Sequence, residues 1–191
     1  MKNTNHSLFD KYEMIKDLGT GSSGSVTLVR HISMDQERAL KKVPKSSAFA
    51  ESALSEARLL KSLEHPSIPR IFDFEEDDAF YYIVEEYIDG ETLDSFLLHQ
   101  QLISPGLFFN ICEQLCNVFI YLHTQISTPI IYRDLKPEHI IVCHNKLKLI
   151  DFGVSAYVIQ DGNNFNHYGN IEFSAPECFT EDTITPAADI Y

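Results

Sequence analysis

Two short stretches decide how this chain is read: Tyr132-Arg133-Asp134-Leu135-Lys136-Pro137-Glu138 and, further on, Asp151-Phe152-Gly153. A given tripeptide turns up by chance at roughly one position in 8,000, and a given six-residue string at roughly one in tens of millions. The two in this order are not coincidence. Short apolar pieces at 130–132, 140–142 and 147–150 bracket polar loops around both stretches.

Upstream, Gly19-Thr20-Gly21-Ser22-Ser23-Gly24 lies between predicted strands 12–18 and 26–31. A Rossmann turn would open a helix at this point, so that reading is excluded. A glycine-rich hairpin can lay backbone N–H groups over phosphates, because the missing Cβ atoms permit close approach. A hairpin tip with no ligand reads the same residues equally well. In the strand 39–43, alternation puts Ala39 and Lys41 on one face and Leu40 and Lys42 on the other. Phe49, Ala53, Ala57 and Leu60 mark an amphipathic helix over 47–63 that must stop before Pro66. Glu56 falls on its apolar stripe, where an unpaired carboxylate is costly, and a pair with Lys41 answers both charges. The alternative places Glu56 at the edge of the stripe, facing water like Glu51.

Strands 71–74 and 80–85 complete a strand-rich small lobe, and the spacing of Leu107, Ile111, Leu115, Val118 and Leu122 predicts a long helix over 104–124. Ser104 is its N-cap and Pro105 its first residue. The fold class is α+β. Residues 1–11 read as a tail, 12–86 as a small lobe of antiparallel strands with one helix, and 87–191 as a mainly helical large lobe, the lobes sharing a cleft.

The 191 residues carry 15 Lys and Arg against 28 Asp and Glu, a formal charge of −13, and 44% are hydrophobic. That is a globular composition, with room for one good core or two small lobes. The acidity excludes general nucleic-acid binding, which needs a basic face. No apolar run reaches the roughly 18 residues of a membrane span, nor does the N-terminus resemble a signal peptide, so a cytoplasmic chain is expected. Four cysteines do not make a disulfide framework. Cys112 and Cys116, four apart in an apolar helical pattern, read as buried thiols.

With these residues in hand, the chain resembles the protein kinases, in particular the bacterial Ser/Thr kinases of eukaryotic type, from about Tyr12 to its last residue. The resemblance implies a two-lobed kinase fold and transfer of the γ-phosphate of ATP to Ser/Thr hydroxyls of a protein substrate, with Mg²⁺ as the ion and Mn²⁺ as an alternative. Gly19, Gly21 and Gly24, with Val26 after them, match the loop over the phosphates. Ala39 and Lys41 match the strand whose lysine holds the α- and β-phosphates and pairs with a helix glutamate, here Glu56. The backbone of Glu86 and Ile88 would read adenine. Asp134 matches the residue that takes the hydroxyl proton, Lys136 the lysine that steadies the γ-phosphate, and Asp151 the metal-binding aspartate. Ala175-Pro176-Glu177 matches the end of the activation segment. Asp189-Ile190-Tyr191 matches the opening of the helix that anchors the catalytic loop.

Five features depart from the family's pattern. Tyr132 replaces the usual His and is expected to be a packing change only. His139 stands where the family has Asn, offering the metal a nitrogen in place of a carbonyl oxygen and so weakening or retuning its binding. Glu85 fills the position behind adenine that is usually apolar or Thr, and would compete with Glu56 for Lys41; the alternative is a hinge register shifted by one residue. Asn170 replaces a Thr that supports the catalytic aspartate. The family continues beyond Tyr191, so the large lobe is expected to expose an apolar patch prone to self-association. These departures keep a second reading open, a catalytically impaired kinase-like module that binds nucleotide or a partner.

Overall fold

Period-two alternation in the first half of the chain does build a sheet. The computed structural model describes residues 8–21, 24–99, 103–158, 172–180 and 184–191. Its contacts divide the chain into two units, Met1–Leu63 with Arg70–Tyr87, and Glu64–Pro69 with Ile88–Tyr191.

The first unit opens with a helical turn, α1 (Leu8–Lys11), and continues through β1 (Tyr12–Gly21), β2 (Gly24–His31) and β3 (Gln36–Pro44). Helix α2 (Ala50–Ser62) follows, then β4 (Ile71–Glu76) and β5 (Phe80–Glu86). The strands form one antiparallel sheet in the order β1-β2-β3-β5-β4. Its two faces bury different sets. Leu8, Tyr12, Val29, Leu40, Tyr82 and Val84 pack on one. Val43 and Ile83 pack against Ala53 and Ala57 of α2 on the other.

Helix α2 starts three residues later than its apolar period suggests. Ser47 turns instead, its carbonyl accepting from Ala50 N at 3.1 Å and its hydroxyl from Phe49 N at 3.1 Å. Phe49 is left exposed. The residues expected to form a tail are in part structural, because Leu8 is buried and its amide donates to the Glu75 carboxylate.

In the second unit, β6 (Glu91–Thr92) leads into α3 (Leu93–His99), and α4 (Pro105–Ile120) widens into a π-helical turn over Tyr121–Gln125. Ser104 caps α4, its hydroxyl accepting from Leu107 N at 3.2 Å, with Pro105 at the first position. Ile111, Val118 and Leu122 of the expected stripe are buried, whereas Leu107 and Leu115 are only partly so. Cys116 is exposed and Cys112 half-buried, which corrects the buried-thiol expectation: the core side of the last turns is taken by Val118 and Phe119.

Short strands β7 (Ile130–Ile131), β8 (Ile140–Cys143), β9 (Lys146–Leu149) and β10 (Ala156–Tyr157) frame the loops that carry the two diagnostic stretches. Helix α5 (Glu177–Thr180) packs Cys178 with Ile131, Ala175 and Ile184. Residues 64–69 go with this unit for a definite reason. Leu149 N donates to Ser67 O at 2.8 Å, Lys148 Nζ to Ile68 O at 3.3 Å, and Glu64 N to the Tyr121 hydroxyl at 2.8 Å.

Candidate active site

Each unit gathers its own set of charged groups. In the first, the register sets Val26 directly across from Lys41 and Ala39 across from Glu85. Val26, Ala39, Lys41 and Glu85 therefore share the face that meets α2. Lys41 Nζ donates to Glu56 Oε2 at 2.7 Å, with 8% of the Glu56 side chain exposed, so the carboxylate points inward and not to water. On the opposite face Lys42 finds another partner, its Nζ lying 3.9 Å from the centre of the Phe80 ring.

The three glycines of the β1–β2 hairpin are not equivalent. Gly24 has φ +139, and a Cβ there would lie 2.1 Å from the carbonyl oxygen of Lys42, so the close approach of β3 demands glycine. Gly19 and Gly21 have nothing within 4 Å of a Cβ position. Their smallness leaves open space. At the end of β5, Glu86 N donates to Arg70 O at 2.9 Å, and Ile88 O accepts from Gly90 N at 3.0 Å.

The second unit brings together Asp134, Lys136, His139 and Asp151. Lys136 Nζ donates to Asp134 Oδ2 at 3.2 Å. His139 sits between the two acids, Nδ1 3.4 Å from Asp134 Oδ2 and Nε2 3.3 Å from Asp151 Oδ2. Asp151 remains 53% exposed at its side chain, while His139 is buried. Arg133 and Asp151 both adopt left-handed backbone, at φ 72 and φ 61, a conformation that costs about 1–3 kcal/mol for a residue other than glycine. The surroundings must hold it in place.

At Arg133 the holding group is Asp189. Its carboxylate is fully buried and accepts from Tyr132 N at 2.8 Å, Arg133 N at 2.7 Å and His123 Nε2 at 2.8 Å. His123 was not singled out from the sequence, yet it stacks on Phe119 at 5.6 Å, and a half-buried imidazole on an apolar helix requires a polar partner. Ser155 adds a hydroxyl that donates to Tyr132 O at 3.2 Å.

Tyr132 is more than packing, contrary to expectation. Its ring lies between Phe119 and Phe152, with centroids at 6.4 and 5.0 Å, but its hydroxyl donates to Ile150 O and meets His139 Nδ1 at 3.2 Å. Asn170 lies outside the described residues, so its expected support of Asp134 does too.

Chemically, the second unit offers a carboxylate beside an ammonium, able to orient a hydroxyl, and a half-exposed carboxylate next to an imidazole nitrogen, able to take a divalent ion. Among the described residues no group of three or more His, Cys, Asp and Glu could hold an ion unaided. Beside this loop opens a cavity of about 340 Å³, lined by Leu135, Lys136, Pro137, Phe173, Cys178 and Tyr191 among others. No helix among the described residues is long and apolar enough to cross a membrane.

Residues 12–191 match the family described as protein kinase domain. The chain is 30% identical over 190 residues to the serine/threonine-protein kinase PrkC of Bacillus subtilis, covering 95% of this chain and 28% of that protein. It is 32% identical over 182 residues to the serine/threonine-protein kinase ppk25 of Schizosaccharomyces pombe, covering 92% and 42%. With the serine/threonine-protein kinase pkn2 of Myxococcus xanthus it shares 28% over 194 residues, covering 95% and 23%. The chain thus spans less than half the length of these relatives.

Proposed function

Because this chain belongs to the protein kinase domain family, we propose that it transfers the γ-phosphoryl group of ATP to Ser and Thr hydroxyls of protein substrates. Asp134 takes the hydroxyl proton as the substrate oxygen bonds to phosphorus, and the bond to the β-phosphate oxygen breaks to release ADP. Lys136 steadies the γ-phosphate. Lys41, kept extended by Glu56, meets the α- and β-phosphates. The backbone of Gly19, Gly21 and Gly24 covers them. Val26 and Ala39 contact adenine, and the backbone of Glu86 and Ile88 reads its edge. Asp151 and His139 would hold the divalent ion, Mg²⁺ or Mn²⁺, which when bound would neutralise charge on the phosphates. The apolar lining of the cavity beside Lys136 suits a side chain of the protein substrate.

The observation that carries this reading is the grouping of Asp134, Lys136, His139 and Asp151 by contacts of 3.2–3.4 Å. Little covalent help is needed for such a transfer, so positioned charges supply the catalysis. The proposal includes a cytoplasmic setting, which supplies ATP and keeps the four free thiols reduced. It also includes self-association through the exposed rings of Phe108 and Phe109, read by sedimentation velocity as a concentration-dependent species.

Incorporation of labelled phosphate into a Ser/Thr substrate tests it. Asp151→Asn should lose about a hundredfold or more of the rate while keeping its fold. Equal rates in the two proteins, or no transfer by the unmodified chain with either ion, would overturn the proposal. In the second case, retained ATP binding would leave a binding module.

A further inference from the structure

Which nitrogen His139 offers is set by its neighbours. Three oxygens surround Nδ1: the Tyr132 hydroxyl at 3.2 Å, the Asp134 carbonyl at 3.0 Å and Asp134 Oδ2 at 3.4 Å. The Tyr132 hydroxyl has already given its one hydrogen to Ile150 O, and neither the carbonyl nor the carboxylate has one to give. All three can only accept. In the neutral imidazole the one ring hydrogen therefore sits on Nδ1, and Nε2, turned towards Asp151, carries the lone pair.

Nε2 lies 3.3 Å from Asp151 Oδ2. Two adjacent ligands bound at about 2.1 Å to one octahedral ion lie about 3.0 Å apart. The pair is within about 0.3 Å of the spacing of ligands to a shared ion before any ion is added. An imidazole nitrogen in that pair changes which ion is preferred, since Mg²⁺ favours oxygen alone and first-row transition ions accept nitrogen readily.

We propose that His139 Nε2 and Asp151 Oδ2 form a mixed nitrogen–oxygen site that selects a first-row transition ion, with Mn²⁺ as its probe, over Mg²⁺, and that Tyr132 is the positioning residue that presents Nε2. The inference rests on the kinase reading, because nucleotide phosphates supply the remaining ligands. Partners that orient a metal-bound histidine are worth about 10–100-fold in affinity, so the Tyr132 hydroxyl acts on ion preference as well as on packing.

Pulsed electron paramagnetic resonance of Mn²⁺ with β,γ-methylene ATP and the 191-residue chain tests this without turnover. The expected result is a ¹⁴N modulation on the manganese signal that changes to the ¹⁵N pattern when the chain is grown with ¹⁵N-histidine. Titration with Mg²⁺ should then displace Mn²⁺ about tenfold more readily from His139→Asn than from the unmodified chain, with an intermediate effect for Tyr132→Phe. Manganese–nucleotide binding with no histidine nitrogen in the signal would overturn the inference and leave the kinase reading intact. No nucleotide binding with either Mn²⁺ or Mg²⁺ would overturn both, and binding with Mg²⁺ alone would overturn the inference only. An unchanged Mn²⁺/Mg²⁺ ratio in Tyr132→Phe would remove the positioning role.

Discussion

Replacing Asp189 by alanine should loosen the loop at Tyr132 and Arg133 through the backbone amides it holds. The carboxylate is fully buried and accepts from two backbone amides, Tyr132 N and Arg133 N, and from His123. A buried donor deprived of its acceptor costs about 1–3 kcal/mol, so the two amides together cost about 2–6 kcal/mol. Arg133 is also held at φ 72, and relaxing that strain would return about 1–3 kcal/mol. The net loss is about 2 kcal/mol, a large share of the 5–15 kcal/mol typical of a domain. Urea denaturation reads the loss directly. Hydrogen exchange adds a local measure: the amides of Tyr132 and Arg133 should lose about thirtyfold of protection, at a tenfold change per 1.4 kcal/mol. A stability change under about 1 kcal/mol with protection intact at both amides would refute the argument that Asp189 holds the loop.

Two further outcomes follow from the first unit. Gly24→Ala places a Cβ against the Lys42 carbonyl and should cost about 2 kcal/mol or more, lowering the melting temperature by about 4–8 °C, whereas Gly21→Ala, with open space around it, should stay within about 0.5 kcal/mol. Similar melting temperatures for the two variants would contradict the contact. Burial, and then the hydrogen bond to Asp77 at 2.9 Å, push Tyr82 up to about 12, so the folded chain keeps a proton that the unfolded chain loses near pH 10. This contribution is fully present below pH 10 and falls by about 1.4 kcal/mol per pH unit between 10 and 12. Urea midpoints measured across that range should show the slope reduced in Tyr82→Phe, and an identical slope would dismiss Tyr82 as its source.

Patterns of charge against polarity were legible in the sequence, and single hydrogen bonds were not. The Lys41–Glu56 pair could be anticipated because both residues fall on inward faces by simple periodicity, and neither charge is tolerated there alone. The grouping of Asp134, Lys136 and Asp151 was legible through rare local strings. By contrast, α1 is a single turn with no period to detect, although Leu8 is fully buried by it. The 64–69 segment joins the second unit through backbone bonds to Ser67 and Ile68, and backbone bonds leave no trace in side-chain patterning. Gly24 looks like its neighbours in sequence, and only the approach of β3 sets it apart.

The same distinction explains why position 132 was misread. Sequence reading treats an aromatic residue in an apolar setting as volume, and by that measure Tyr132 between Phe119 and Phe152 is unremarkable. A phenol differs from phenylalanine by one hydroxyl, which when buried must find partners or cost several kcal/mol. Here the partners are Ile150 O, one residue before Asp151, and His139, the other unusual residue of the loop. The two departures from the family's pattern are therefore in contact. Each supplies what the other needs: His139 gives the phenol oxygen a donor, and Tyr132 gives the imidazole an acceptor. Substituting either alone removes one hydrogen-bond partner of the other, while Ile150 O still accepts from the phenol and the Asp134 carbonyl still faces Nδ1, so the pair should show non-additive energetics in a double-mutant cycle, and its effect on the neighbouring carboxylates belongs to neither residue separately.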